Sequence, residues 1–213
     1  MSENNKFILE IGIQTDEKLI IGTGQMDFRP SRFQQIQKVK VGEKYKPVIP
    51  ATSIKGVLRT NAMKIAHLLG LKSCGKIKPE DITQAHKSTN CHVCSIFGAP
   101  NIPSKIIVED AISKDKEIIF DKYTGIKLNS KSRVTEKGAL FQYEAVGIGQ
   151  NFQFNIICEG LTTDESKLLT YAIRELQIYG IGRYGGSLKI TSLNLGELPD
   201  EVRSIAKEAF ENE

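Results

Sequence analysis

The sequence of 213 residues lacks any apolar run long enough to span a bilayer. Its polar start, MSENNK, lacks the apolar core of a secretory signal peptide. These two absences predict a cytoplasmic protein that does not associate with membranes. The length suits one elaborated domain, so we expect residues 1–213 to form a single domain.

The sequence also lacks the residue patterns of common catalytic sites. It contains no hydrolytic triad, no Walker phosphate loop and no cluster of carboxylates. Its three histidines, His67, His86 and His92, lie in a predicted helix or in a segment rich in cysteine. Nothing in the sequence therefore demands catalysis, and binding is favoured over enzymatic activity.

Acidic residues are scarce in the N-terminal third. Between Phe28 and Lys64 the chain has nine Lys or Arg and one acid, Glu43, although the net charge of the whole chain is only +4. Residues 197–213, in contrast, have six acids and two bases. Such unevenness can arise by chance on a solvated surface. A basic stretch is more typical of a surface that binds a polyanion, and nucleic acid is the usual one.

Hydrophobic periodicity predicts an α+β protein. Alternation predicts strands at residues 6–14, 104–111, 117–120, 151–158 and 187–195. Helical spacing predicts a helix at residues 52–69 and a second, capped by Thr163, at 163–179. Residues 25–46 show little periodicity and are predicted to be a long loop. The order of strand, helix, strands, helix and strand is that of an RRM-like or ferredoxin-like core with a long insertion.

The stretch IPATSIKGVLRT (49–60) combines a helix start with two cations. Thr52 or Ser53 can cap the helix, and its free N–H groups and dipole attract anions. Lys55 and Arg59 are four residues apart and therefore share a face of the helix. This combination predicts a phosphate site at the head of the helix, although two cations on a solvated helix face need no function.

The stretch YGIGRYGG (179–186) places four glycines around Arg183 and Tyr184. It follows a helix and precedes a strand, which is the reverse of a dinucleotide-binding fingerprint. A helix stop requires one glycine, whereas four glycines allow the backbone to approach a ligand closely. The stretch therefore predicts a binding loop.

Three of the four cysteines lie close together in a chain with no export signal, which argues against disulfides. A CxxC pair with a further Cys and a His supplies the four ligands of a closed, structural zinc site. The predicted ligands are Cys74, His86, Cys91 and Cys94. His92 lies inside the CxxC pair and is the less favourable alternative to His86. Three reduced cysteines that bind no metal remain the other possibility.

The stretch TGIKLNSKSRVTEKGALFQYEAV (124–146) is predicted to form a basic hairpin. Its first part contains one acid, Glu136, and four bases: Lys127, Lys131, Arg133 and Lys137. Basic hairpins can follow phosphates, but a solvated hairpin without function can have the same composition.

Five motifs occur in a fixed order along the chain: IGTG (21–24), IPATSIKGVLR (49–59), CHVCSIFG (91–98), the hairpin stretch (124–146) and YGIGRYGG (179–186). In this order the chain resembles the RAMP superfamily of CRISPR-associated proteins. The resemblance is strongest to the repeated backbone subunit of type III effector complexes.

The resemblance implies an RRM-like core with a zinc-binding insertion at residues 71–102 and a basic thumb hairpin at residues 121–138. It implies a guide-RNA-binding backbone subunit of a type III RNA-targeting complex. Copies would stack as a filament along the guide, with target RNA and other effector subunits as further partners. The resemblance assigns RNA contacts to residues of the first helix, the hairpin and the glycine-rich loop: Ser53, Lys55, Arg59, Lys127, Lys131, Arg133, Gly182, Arg183, Tyr184 and Gly185.

Some members of that family cut target RNA with an Asp in the loop before the first helix. The corresponding window here, Gln34 to Gln37, contains no acid, and Asp27 is the only Asp of the loop. A scaffold that does not cut RNA is therefore favoured. The alternatives are an Mg²⁺- or Mn²⁺-dependent endoribonuclease that uses Asp27, a repeat-RNA processing nuclease, and a protein interaction module that docks through the cysteine segment.

Overall fold

The structure is a computed structural model that describes residues 6–22, 33–86, 91–129, 131–194 and 199–211. Asp27 lies outside these ranges. Within them the chain is mixed α/β, with two largely antiparallel sheets and a layer of helices. No helix in the described part of the chain is both long and apolar enough to cross a membrane.

Two sheets contain all ten strands of the described ranges. The strands are β1 (Lys6–Thr15), β2 (Phe33–Gln34), β3 (Lys38–Val41), β4 (Lys44–Ile49), β5 (Ile106–Val108), β6 (Ala111–Ser113), β7 (Phe120–Leu128), β8 (Thr135–Val146), β9 (Asn151–Glu159) and β10 (Leu188–Leu193). The larger sheet has the order β10-β1-β9-β6-β4-β3, and β5 also pairs with β9. The smaller sheet has the order β2-β8-β7. The first strand of the chain therefore lies between two strands from its C-terminal half.

The hairpin of β7 and β8 is joined to the end of β1. Leu19, just after β1, exchanges two backbone hydrogen bonds with Val146 at the end of β8, with N···O distances of 3.0 and 2.8 Å. Two residues of β2 pair in parallel with the middle of β8. The hairpin is thus fixed at its base to the larger sheet.

The helices pack together as one layer. They are α1 (Ala51–Ile65), which continues as a 3-10 turn (Ala66–Leu69), then α2 (Pro79–Ala85), α3 (His92–Phe97), α4 (Thr163–Arg174), α5 (Leu176–Tyr179) and α6 (Asp200–Glu211). Helix α4 lies between α1 and α6, and α3 contacts both α1 and α4.

The main core lies between this helix layer and the larger sheet. Strand β1 alternates exposed and buried residues and buries Leu9 and Ile11, while α1 buries Ile54 and Leu58 in the same cluster. Burying one such side chain stabilises the fold by about 1.5–3 kcal/mol. Because these residues recur at strand and helix spacing, the predictions for β1, β9, β10 and both long helices are confirmed in position.

The prediction of a loop at residues 25–46 is wrong for its second half, where β2, β3 and the start of β4 lie. Strands β3 and β4 form a hairpin whose turn includes Gly42 at φ +62°. Strand β3 has the sequence KVKV, in which Lys and Val alternate. The high charge of this stretch led to the prediction of a loop, although β3 is a strand at the edge of the sheet. Edge strands often carry lysine, which discourages pairing with another chain.

The two helix starts differ from the prediction. Helix α1 begins at Ala51 with Pro50 as its N-cap, and neither Thr52 nor Ser53 caps it. Instead, Asp110 accepts the Ala51 N–H at an N···O distance of 2.7 Å. The extended conformation of Pro50 ends β4 and starts the helix at once, so the two hydroxyls fall inside its first turn.

Helix α4 is capped by Thr162 rather than Thr163, in a reciprocal capping box with Glu165. The Glu165 carboxylate also binds Lys105, next to β5, at 2.7 Å and is almost fully buried. Burial raises the pKa of Glu165, but hydrogen bonds from Lys105, Ser95 and the Thr162 N–H lower it by more, so that the net pKa is lowered. The ionised Glu165 carboxylate therefore stabilises the fold fully at pH values above the ordinary pKa of a Glu. This stabilisation is lost as the pH falls through the lowered pKa of Glu165.

Replacing Glu165 with Ala should lower the free energy of unfolding by about 3 kcal/mol, because it removes the acceptor of the Thr162 N–H in the capping box and leaves Lys105 without its carboxylate. Denaturant unfolding followed by circular dichroism measures this change. The control is Lys189→Ala, which removes an ion pair with Asp16 whose side chains are both well exposed and should cost less than about 1 kcal/mol. Equal, small losses in both variants would contradict a structural role for the Glu165 pair.

Candidate metal centre and nucleic-acid groove

The four predicted metal ligands meet at one place. Cys74 precedes α2, His86 ends α2, Cys91 caps α3 and Cys94 lies in its first turn. Their ligand atoms all lie within 4.8 Å of one another. The Cys74 and Cys94 sulfurs are 3.7 Å apart, close to the roughly 3.8 Å that separates two thiolates bound to one tetrahedral zinc ion.

The histidine of this group is His86. Both of its ring nitrogens are buried, and neither has a hydrogen-bond partner among the described residues. A buried polar atom without a partner is costly, and coordination of a cation would satisfy it. His92 points elsewhere, since its Nδ1 accepts the Lys72 N–H at 3.0 Å. The group therefore fits a metal ion through three sulfurs and one imidazole.

The thiols of the group interact strongly with one another. Burial and the neighbouring Cys91 and Cys74 sulfurs raise the pKa of Cys94 to about 12. A bound cation reverses this preference, because it stabilises thiolates. Cys158 is separate, because it is fully buried in β9 and belongs to the core.

Lys55 and Arg59 lie on the flank of α1 that faces the metal centre and β5. Arg59 donates from Nη2 to the Cys94 sulfur at 3.3 Å and from Nη1 to the Gly98 carbonyl at 2.7 Å. Lys55 donates to the Ser104 hydroxyl at 2.8 Å. Burial, and then the charge of Arg59, lower the pKa of Lys55. Each of these predicted phosphate ligands thus already has an acceptor within the chain.

The opposite flank of α1 forms a groove with the glycine-rich loop. This groove has a volume of about 450 Å³ and contains Ser53, Thr60 and Lys64 on its helix side. Tyr179, Gly182 and Gly185 are among the residues on its loop side. The Lys64 ammonium lies 3.3 Å from the centre of the Tyr179 ring, a cation–π contact across the groove. The predicted residues Ser53, Gly182 and Gly185 are therefore brought together here.

The glycine-rich loop passes close to the segment after β1. Gly182 has φ +85°, and a Cβ atom at this position would lie 2.7 Å from the Ile20 carbonyl oxygen. The Arg183 N–H donates to the same oxygen at 2.9 Å. Glycine is thus required at position 182 by both conformation and space. The Arg183 side chain turns away from the groove and hydrogen-bonds the hydroxyl of Tyr143 on β8.

The predicted basic residues of the hairpin lie toward its tip. Lys131 and Arg133 are exposed in the turn between β7 and β8, and Lys127 lies near the end of β7. Asn129 fixes this turn, since its side chain accepts the Lys131 N–H at 3.0 Å and its carbonyl accepts the Arg133 N–H at 2.8 Å.

Sequence reasoning missed Lys64 and Tyr179, because no local pattern indicates that residues so far apart form one contact. It also missed Glu144 of β8, which lies beside the acid-free window of Gln34 to Gln37. Its carboxylate accepts the Ile36 N–H at 3.3 Å and pairs with Lys38 at 2.7 Å. The charge of Glu144 is therefore compensated by Lys38.

Comparison with known proteins agrees with this architecture. Among solved structures, one chain of the Type III-B Cmr-beta complex bound to cognate target RNA matches with a TM-score of 0.60 and 18% sequence identity. The match covers 89% of the present chain and 60% of that chain, so the two share a fold and the present chain spans less than two thirds of the other. No curated protein matches. A family model of the RAMP superfamily matches residues 13–189. Because these residues make up most of the chain, the chain belongs to the RAMP superfamily.

Proposed function

We propose that the chain is a guide-RNA-binding backbone subunit of a type III RNA-targeting effector complex. The groove between α1 and the glycine-rich loop is the observation that supports this proposal most directly. The shared fold with a chain of a type III-B complex bound to target RNA supports it further. Copies of the chain would stack along the guide and contact target RNA and other effector subunits.

The element order supports an RRM-like, ferredoxin-like core. The elements of this core follow one another along the chain in the order β1, α1, β5, β6, β9, α4 and β10. In the sheet, β1 lies between β10 and β9. In this proposal the segment at residues 71–102 is an insertion after α1. The hairpin of β7 and β8 is the thumb, and Lys127, Lys131 and Arg133 are its cations for RNA.

In the groove, the RNA backbone meets donors of three kinds. Lys64 supplies a positive charge, Ser53 supplies a hydroxyl, and the glycines supply backbone that a phosphate can approach closely. Such contacts follow phosphates and do not read bases. Lys55 and Arg59 lie on the other flank of α1, where both already donate to acceptors within the chain. That they also hold phosphates stays a prediction.

The metal of the proposed subunit is zinc, held by Cys74, His86, Cys91 and Cys94. Three thiolates and a neutral imidazole around a divalent ion carry one excess negative charge, and the Arg59 guanidinium at Cys94 compensates it. Four protein ligands leave no position for water, so the ion has a structural role. It joins the segment before α2 to α3, which packs against α1.

Metal analysis of the purified protein should give about one zinc per chain. Cys91→Ser and Cys94→Ser should lower both the zinc content and the melting temperature, because binding of the metal stabilises the folded state. The matched control is Cys158→Ser, which alters a buried cysteine outside the centre and should leave the zinc content unchanged. A fully folded protein without metal would contradict a structural zinc site.

RNA binding should weaken steeply with added salt and should depend little on base sequence, because the groove holds phosphates. Lys64→Ala should weaken binding several-fold, and by a similar factor for unrelated single strands, in a fluorescence anisotropy titration. Lys207→Ala, an exposed lysine of α6, serves as the control and should bind as the wild type does. Lys55→Ala and Arg59→Ala test the other flank of α1, and we expect them also to weaken binding by a similar factor for unrelated single strands. Much tighter binding of one sequence than of all others would rule out a scaffold that follows phosphates.

Target RNA should remain intact when the protein is assembled on guide RNA with complementary target and Mg²⁺ or Mn²⁺. The neutral window of Gln34 to Gln37 lacks a carboxylate to hold a hard cation, and Glu144 beside it is paired with Lys38. Gel analysis of the target checks this for the wild type and for Asp27→Ala. Regularly spaced cuts that disappear in Asp27→Ala would establish the alternative endoribonuclease.

A further inference from the structure

Three tyrosines and one arginine meet where the hairpin joins the glycine-rich loop. Tyr123 and Tyr143 lie opposite each other on β7 and β8. Tyr184 of the loop lies over Tyr123, with ring centres 5.2 Å apart and planes tilted by 30°. Arg183 lies over the Tyr143 ring at 4.8 Å and hydrogen-bonds its hydroxyl. Tyr143 is buried, so the cluster rests on a fixed base.

Tyr184 is held in an exposed and unfavourable conformation. Its side chain is 61% exposed, although an exposed aromatic ring gains little from packing. Its φ of +73° lies in the left-handed region, where a bulky residue is an outlier. The turn is closed by a hydrogen bond from the Gly185 N–H to the Gly182 carbonyl at 3.3 Å. Glycine would suit position 184 better, so an aromatic ring there points to a role other than stability.

The cavity beside Tyr184 suits a flat, uncharged group. It has a volume of about 390 Å³ and is lined by Lys18, Tyr123, Arg183 and Tyr184, among other residues. Lys18 is paired with Asp121 at 2.6 Å. The cavity also contains the acid Glu17, which balances the charge of Arg183, whose guanidinium hydrogen-bonds the Tyr143 hydroxyl. What the cavity offers a ligand is therefore aromatic surface rather than net positive charge. A nucleobase has the matching chemistry, because every base presents a π-face.

The cavity and the phosphate groove share one turn of the chain. Gly182 and Gly185 line the groove, whereas Arg183 and Tyr184, between them in sequence, line the cavity. An RNA strand whose phosphates lie in the groove is therefore separated from the tyrosine surface by only one turn of the protein chain. We propose that Tyr184 and Tyr123 form a stacking platform for a base of single-stranded RNA. The platform rests on the proposed RNA-binding function and adds base stacking to it.

The experiment compares two oligomers of the same length, one of single-stranded RNA and one with the same backbone but no bases. Wild-type protein should bind the RNA roughly tenfold more tightly, which is the contribution expected of one stacked base. Tyr184→Ala and Tyr123→Ala should lose this preference and keep the affinity for the abasic oligomer. Tyr184→Phe should retain it, because the ring remains. Tyr45→Ala, an exposed tyrosine of β4, is the matched control.

Tyr184→Gly separates the platform from a structural role. It should leave the protein folded, because glycine adopts a positive φ without strain, and it should abolish the preference for bases while keeping the affinity for the abasic oligomer. A lower melting temperature with the preference intact would overturn the proposal.

The remaining outcomes separate the platform from the groove. If the wild type binds both oligomers equally, the platform is wrong and the phosphate groove stands. If it binds neither, the proposed function fails, and the platform with it. If Tyr184→Ala keeps the preference for bases but loses self-association in sedimentation, the tyrosine surface contacts a second protein copy and the proposal is overturned.

Discussion

Burial of the apolar stripe of α1 against the larger sheet fixes the position of both candidate sites. Ile54, Leu58 and Ala62 are almost fully buried and recur at helical spacing. Because 3.6 residues make a turn, the residues beside this stripe form two flanks that face in different directions. Arg59 on one flank reaches the metal centre, and Lys64 on the other reaches the groove. A rotation of the helix would disturb both sites at once.

In the proposed subunit, the segment between α1 and β5 depends on its metal ligands as well as on its two short helices. Helix α2 has seven residues and α3 has six, and helices of this length are not stable alone in water. Among residues 75–86, only Ile82 is buried. In the proposed zinc-bound subunit the metal would compensate for the sparse apolar packing of α2, whereas α3 also buries Val93, Ile96 and Phe97. Arg59 links this centre to α1 and so to the rest of the fold.

Local patterns in the sequence were sufficient for the parts of the structure that depend on neighbouring residues. Alternation located β1 and β9, and the spacing of Cys and His identified a ligand group whose members lie within 21 residues of one another. Contacts between distant segments were not predictable. Lys64 with Tyr179, and Tyr123 with Tyr184, are brought together only by the finished fold. The contacts of Arg59 were missed for the same reason. Its acceptors, Gly98 and Cys94, lie in another segment of the chain, and a helical wheel of α1 contains only the residues of that helix.

The sheet order has a consequence for the time course of folding. Lys6 pairs with Glu159, and Leu193 pairs with Ile11, so β1 has neither neighbour until most of the chain has left the ribosome. Pairing over such distances is slow, because a long loop must close first. The cysteine and histidine ligands, in contrast, are close in sequence and can gather a metal ion early. If the proposed metal binds during synthesis, its ligand segment is ordered while β1, which emerges earlier, still awaits its partners. The apolar residues of β1 then need protection from aggregation in that interval.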